Sequence, residues 1–244
     1  MDYVAIFTGN DSRWYPQLVT AISVHQVPLQ VINAPVGGRV AEAIAGLAPL
    51  GFSGALVEES RLQREAAEKL NRLELEADEA GVVDAMRVQF GEVQGHLLLP
   101  AAVRLAMEQT GFSGARVLWL GSAQPGMREA LRLASKVHVM RPTPLEAEEL
   151  LSTLPPPQRG NAVFDKIQAQ ALAGEVDLVM YNGGPLPLAL LQPYHGLLAF
   201  EEPQQDAYMV VDQVISPAYF RQLYLSRLLG WVSGVDLPPE DFVE

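Results

Sequence analysis

The clearest chemical signal in this chain is Gly121-Ser122-Ala123-Gln124-Pro125-Gly126, a G-x-A-x-x-G turn between an apolar run (Val117 to Leu120) and a helical stretch. Such a turn can present backbone N–H groups to a pyrophosphate at the start of a helix. Gly121 allows the tight turn and Gly126 lets helix and strand pack closely. Ala123 adds a methyl where glycine would leave room for the phosphate. Pro125 suits a first helical turn, where its missing N–H costs nothing. A second turn, Asn182-Gly183-Gly184-Pro185-Leu186-Pro187, follows the apolar run Val176 to Tyr181. Turns at the carboxyl ends of such strands are where open α/β sheets hold ligands.

Groups able to move a proton or bind a metal are sparse. There are three lysines (Lys69, Lys136 and Lys166) and four histidines (His25, His96, His138 and His195), the latter too scattered for spacing such as H-x-x-x-H. No metal is expected. Asp84 is a candidate acid or base if burial raises its pKa, the alternative being an aspartate that caps or pairs locally. His96 is open to the same two readings, catalytic or structural. Neither a G-x-S-x-G elbow nor a G-x-x-x-x-G-K phosphate loop occurs.

The elements that must position these residues alternate. Strands are expected at Tyr3 to Phe7, Leu29 to Asn33 and Ser53 to Val57, with helices at Pro16 to His25 and Val40 to Leu47. Leu62, Ala66, Leu70, Leu73 and Ala77 recur at helical spacing, predicting one helix over 62–77 with a solvated face of Glu65, Glu68, Glu74, Glu76 and Asp78. Val82 to Val88 and Val93 to Leu98 read as paired strands, and Ala101 to Gln109 as a helix before the Gly111-Phe112-Ser113-Gly114 linker. Beyond the fingerprint come a strand at Val137 to Met140 and a helix from Thr143-Pro144 through Leu151, ended by a loop at Pro155 to Gly160. A helix at Phe164 to Leu172, strands at Val176 to Tyr181, Leu197 to Phe200 and Tyr208 to Val211, and an amphipathic helix at Ala218 to Val232 complete the chain.

Composition removes several functions. The net charge is −12, from 29 acidic and 17 basic residues with no basic cluster, so nucleic acid is not an expected partner. Absence of cysteine excludes disulfides, thiol catalysis and thiolate metal sites. No apolar run approaches the roughly 18 residues that span a bilayer, and MDYVAIFTG reads as a first strand rather than a signal peptide. The expectation is a soluble cytoplasmic protein, monomer or homodimer, without a membrane partner.

In order and spacing these motifs resemble the shikimate dehydrogenase family over nearly the whole chain. Gly51-Phe52-Ser53-Gly54 is similar to the family's glycine-phenylalanine turn, and Gly81-Val82-Val83-Asp84-Ala85-Met86 to its glycine-alanine-valine-asparagine-threonine-valine strand. Gly91 to Gly95 resembles the following hairpin, Arg141 with Thr143 the asparagine-arginine-threonine stretch that holds the adenosine 2′-phosphate, and Asn182-Gly183-Gly184-Pro185-Leu186 the loop near the nicotinamide. The resemblance implies an α/β fold: an N-terminal α/β substrate-type domain (1–100 and 216–244) and a Rossmann-like doubly wound NAD(P)-binding domain (101–215), with the C-terminal helix returning to the first domain. It implies NADP as cofactor, held at Gly121, Ser122, Ala123, Gly126, Arg141, Asn182 and Gly183, and a small-molecule ligand in the cleft between domains.

The family's reaction, NADP-dependent interconversion of shikimate and 3-dehydroshikimate, uses a lysine and an aspartate to handle the proton. Here the lysine position is Leu62, in Val57-Glu58-Glu59-Ser60-Arg61-Leu62, and the aspartate position is Leu99, in Leu97-Leu98-Leu99-Pro100. Neither leucine can donate or accept a proton. By the same resemblance the substrate would face Arg13, Tyr15, Glu58, Arg61, Asp84 and Tyr224. Glu58 stands where the family has a carboxylate-binding threonine, so Arg13 or Arg61 is expected to neutralise it or to bind a carboxylate directly. The expected function is a shikimate dehydrogenase-like protein that has lost the Lys/Asp pair and retains nucleotide or small-metabolite binding. The alternatives are an oxidoreductase with acid/base chemistry moved to Asp84 or His96, and a structural interaction module.

Overall fold

A computed structural model describes residues 2–122 and 124–243. Ala123 of the glycine turn lies outside the described residues. The chain divides into two compact units, Met1–Leu99 with Arg221–Glu244, and Pro100–Phe220.

The first unit opens with β1 (Asp2–Thr8), α1 (Tyr15–Val24), β2 (Leu29–Pro35), α2 (Val40–Leu47), β3 (Phe52–Val57) and α3 (Ser60–Lys69). It continues with β4 (Arg72–Leu73), α4 (Leu75–Ala80), β5 (Ala85–Gln89) and β6 (Glu92–His96). Its sheet runs β2-β1-β3-β5-β6-β4. β1, β2 and β3 are parallel, whereas β5 is antiparallel to β3 and β6. Val4 to Phe7 and Gly54 to Val57 are buried, as strands covered on both faces must be. Gly54 is where the sheet is tightest. A Cβ there would lie 2.0 Å from the Met86 carbonyl oxygen and 2.8 Å from Val232.

The second unit holds most of α5 (Leu99–Gln109), then β7 (Arg116–Gly121), α6 (Met127–Leu131), β8 (Lys136–Met140), α7 (Pro144–Ser152), β9 (Arg159–Val163), α8 (Lys166–Ala171), β10 (Leu178–Asn182), β11 (Gly196–Ala199) and β12 (Gln213–Ile215). Its sheet is parallel throughout, in the order β12-β11-β10-β7-β8-β9. This is the doubly wound order, with its switch point between β7 and β10. The chain returns to the first unit within α9 (Pro217–Ser233).

Three expectations fail for tertiary reasons. The single helix over 62–77 is broken: Leu70 is extended (φ −85°, ψ 138°), and Arg72–Leu73 joins the sheet beside Gln94–Gly95. Gly95 makes this fit, because a Cβ there would lie 2.7 Å from Leu70 and 2.9 Å from Leu73. The loop expected around Gly160 contains β9, where the glycine permits close approach to the Val137 carbonyl. Tyr208 to Val211 is not a strand. A 3-10 turn covers Gln205–Met209, and the edge strand is Gln213–Ile215.

Candidate functional site

In the second unit, the carboxyl ends of β7, β8, β9 and β10 surround a cavity of about 550 Å³. Gly121, Ser122, Arg141, Asn182 and Gly183 line it, joined by Glu146, Phe164, Lys166 and Glu201. Gly121 has φ +105°, and a Cβ would sit 2.1 Å from the Asn182 carbonyl oxygen, so only glycine closes this turn. Gly126 has φ +77° and precedes α6.

Asn182 is buried and ties the two turns together. Its Nδ2 donates to the Ser122 carbonyl (2.8 Å) and Oγ (3.2 Å), and its Oδ1 accepts from Gln124 Nε2 (2.7 Å). The Ser122 N–H donates in turn to the Asn182 carbonyl at 3.2 Å. The Asn182 side chain is therefore committed to shaping the turn, which leaves backbone and glycine surface at the switch point for a ligand. Gly184 also lines the cavity, and a Cβ there would meet nothing within 4 Å. Arg141 donates from Nη1 to the Gly121 carbonyl, pinning its guanidinium beside the turn, and its Nε is buried without a partner.

In the first unit the positions expected to face substrate are reorganised. Leu62 is fully buried on α3, and Leu99 is buried at the start of α5. Asp84 is also fully buried. It accepts from the Leu98 N–H (2.7 Å), the Leu99 N–H (2.9 Å) and the Tyr224 hydroxyl (2.7 Å). Burial raises its pKa from 3.8 to about 6, against the lowering effect of the Tyr224 and backbone donors. Burial, then the neighbouring carboxylate, holds the Tyr224 phenol well above its ordinary value. Asp84 thus fastens the backbone entering α5, and the Tyr224 ring stands edge-on to the buried Trp14 at 5.8 Å.

His96 packs its ring 5.1 Å from Trp231, and its Nδ1 is buried without a partner. Burial lowers its pKa, which keeps the imidazole neutral at pH 7. Among the described residues no arginine side chain pairs with Glu58. Its Oε1 accepts the Arg13 backbone N–H at 3.0 Å, while the Arg61 guanidinium turns to Glu65 and the Gly37 carbonyl, both at 3.4 Å. This corrects the expectation of a neutralising arginine. Tyr15 is exposed, its N–H donating to Ser12 Oγ at 3.1 Å.

Sequence reasoning missed Glu59, whose carboxylate accepts from the Gly9 N–H (2.6 Å) and Thr8 hydroxyl (3.2 Å) and so holds the turn after β1. It also gave no role to Lys166, Phe164 or Glu201. The available signal was topological, since a doubly wound half requires a strand between α7 and α8 and that strand must end near residue 164. Among the described residues no group of three or more His, Asp or Glu could hold a metal, and no helix is long and apolar enough to cross a membrane.

No family model matches the chain, and no curated protein matches it by sequence. Solved structures do match. The ligand-free 5-ketofructose reductase of Gluconobacter sp. strain CHM43 superposes with TM-score 0.84 at 12% identity, over 99% of this chain and 96% of that one. Shikimate 5-dehydrogenase of Listeria monocytogenes, in complex with shikimate and NAD, gives 0.82 at 12% identity over 99% and 94%. The Thermus thermophilus shikimate 5-dehydrogenase, in complex with NADP(H) and shikimate, gives 0.76 at 17% over 99% and 97%. The fold is the one these solved structures share, shikimate dehydrogenase-like, with a Rossmann-like second unit.

Proposed function

We propose that this chain is a shikimate dehydrogenase-like protein that holds a pyridine dinucleotide, NADP(H), in its second unit and no longer carries out the family's proton transfer. The observation that carries this reading is the full burial of Leu62 where a proton-transferring lysine would stand. Leu99 takes the aspartate position. The cavity at the switch point supports the nucleotide half of the reading: Gly121, Gly183 and Gly184 present backbone at its wall and Arg141 supplies positive charge there, beside the carboxylates of Glu146, Asp165 and Glu201. Gly121, Ser122, Arg141, Asn182 and Gly183 would hold the dinucleotide. Bound NADPH supplies a hydride; in this chain no titratable side chain occupies position 62 or 99 to complete a reduction.

An active oxidoreductase with its acid/base moved to Asp84 or His96 is less well supported. Asp84 spends its carboxylate on two backbone N–H groups and a phenol, and His96 is packed against an indole. The test pairs two measurements on the purified chain. NADPH titration by calorimetry is expected to show saturable binding, and at 100 times its Kd the nucleotide should stabilise the protein by about 2.7 kcal/mol. NADP-dependent oxidation of shikimate or quinate is expected to be absent. Turnover abolished by Asp84→Asn but not by a surface variant would overturn the loss of catalysis, and absence of binding would overturn the nucleotide reading.

A further inference from the structure

The sheet of the second unit has two halves, β7-β8-β9 and β10-β11-β12, on either side of the switch point. A dinucleotide lies across such a point, with one mononucleotide over each half. Among the described residues five charged side chains line the cavity there: Arg141, Glu146, Asp165, Lys166 and Glu201. Four of them belong to the first half. Arg141 and Glu146 follow β8, Asp165 and Lys166 follow β9, and as two cations and two carboxylates they balance. Glu201 is the charge left over, and it stands on the second half, two residues beyond the end of β11 at Ala199.

The Glu201 carboxylate reaches back to the end of β10. A Cβ on Gly183 would lie 2.5 Å from its Oε2, so the glycine at that position makes room for the acid. The loop beside it is held by the Tyr181 hydroxyl, which donates to the Gly184 carbonyl at 2.7 Å. Burial, then the Glu201 charge, raises the pKa of that phenol, so the field of the carboxylate is felt at the loop. Its neighbour Glu202 is engaged, accepting the Tyr208 hydroxyl at 2.8 Å. Among the described residues Glu201 itself makes no hydrogen bond or ion pair. It is an uncompensated negative charge over the second half of the site.

In a pyridine dinucleotide the nicotinamide ring is a cation when oxidised and neutral when reduced, whereas the phosphates are the same in both. A carboxylate beside that ring attracts the oxidised form and gains nothing from the reduced one. We propose that Glu201 sets the oxidation-state preference of this site, favouring the pyridinium form of the dinucleotide. This rests on the reading that the unit holds a pyridine dinucleotide, with its adenosine over the half that carries Gly121 and Arg141 and its nicotinamide over the other. Because Glu201 is exposed, it acts as a screened charge, worth about fivefold in affinity at contact distance in water and less at high salt. A chain that binds the two forms unequally without turning them over has the property a sensor of the oxidised fraction needs.

The experiment titrates NADP+, NADPH, NAD+ and NADH into the full chain and into E201Q and E146Q by calorimetry, at low and high salt. E201Q is expected to weaken both oxidised forms about fivefold and to leave both reduced forms unchanged. The difference between wild type and E201Q should shrink at high salt. E146Q removes a carboxylate from the other half of the cavity, and is expected to keep the wild-type ratio of oxidised to reduced affinity. If E201Q leaves that ratio unchanged or raises it, or if E146Q lowers it as much as E201Q does, the role of Glu201 is overturned while nucleotide binding stands. If the wild type binds none of the four dinucleotides, both the inference and the reading beneath it fall.

Discussion

Replacing Asp84 by asparagine tests whether a fully buried carboxyl sets the pH dependence of the first unit. In the native state its pKa is raised from 3.8 to about 6, with burial the dominant cause. The native state therefore keeps this proton to a higher pH than the unfolded chain does. Below about pH 3.8 both states are protonated and the group has no effect. Between 3.8 and 6 the native state binds more protons, so stability falls as pH rises. At 1.36 kcal/mol per tenfold change in ionisation, the fall amounts to about 3 kcal/mol by pH 7. Asp84→Asn removes the titration, so the difference between wild type and variant should itself change by about 3 kcal/mol across that window, whatever the variant's absolute stability. Urea unfolding followed by tryptophan fluorescence provides the assay. In a Trp119→Phe background, Trp14 and Trp231 report on the first unit alone. Tyr224→Phe should push the limb to higher pH, because the carboxylate loses its phenolic donor. A wild-type-minus-Asn difference that stays level from about pH 4 to 7 refutes the reasoning.

Two further outcomes follow from the same geometry. Gly121→Ala places a methyl 2.1 Å from the Asn182 carbonyl at φ +105°, and should cost more than about 3 kcal/mol in the second unit and abolish NADPH binding, as read by denaturation and calorimetry. Leu62→Lys puts an ammonium group at a fully buried position, and should lower the stability of the first unit by several kcal/mol without producing shikimate oxidation, as read by urea denaturation and by NADPH absorbance.

Part of this molecule was legible from local sequence. The β7–α6–β8 unit declares itself through an apolar run, a glycine turn and a second apolar run, because a parallel strand covered on both faces must be apolar and the turn after it needs left-handed backbone. Leu62 and Leu99 were likewise legible as side chains that neither donate nor accept a proton, since that depends on residue type alone. The break at Leu70 was not legible. The helical period continues through it, and what interrupts the helix is an edge position beside Gly95, a partner remote in sequence. β9 escaped detection for a related reason: Arg159-Gly160-Asn161-Ala162-Val163 has little strand character, and its place is fixed by pairing to β8.

The site divides along the same line. Sequence by itself determined the glycines of both turns and the hydrocarbon side chains at positions 62 and 99, because backbone freedom and side-chain chemistry belong to single residues. Only the tertiary structure decided that Asp84 binds Tyr224 and the Leu98 and Leu99 amides, that Arg61 turns away from Glu58, and that Lys166 joins Arg141 at one cavity. Burial, partnership and the convergence of charges are properties of which chain segments meet, and no periodicity within one segment encodes them.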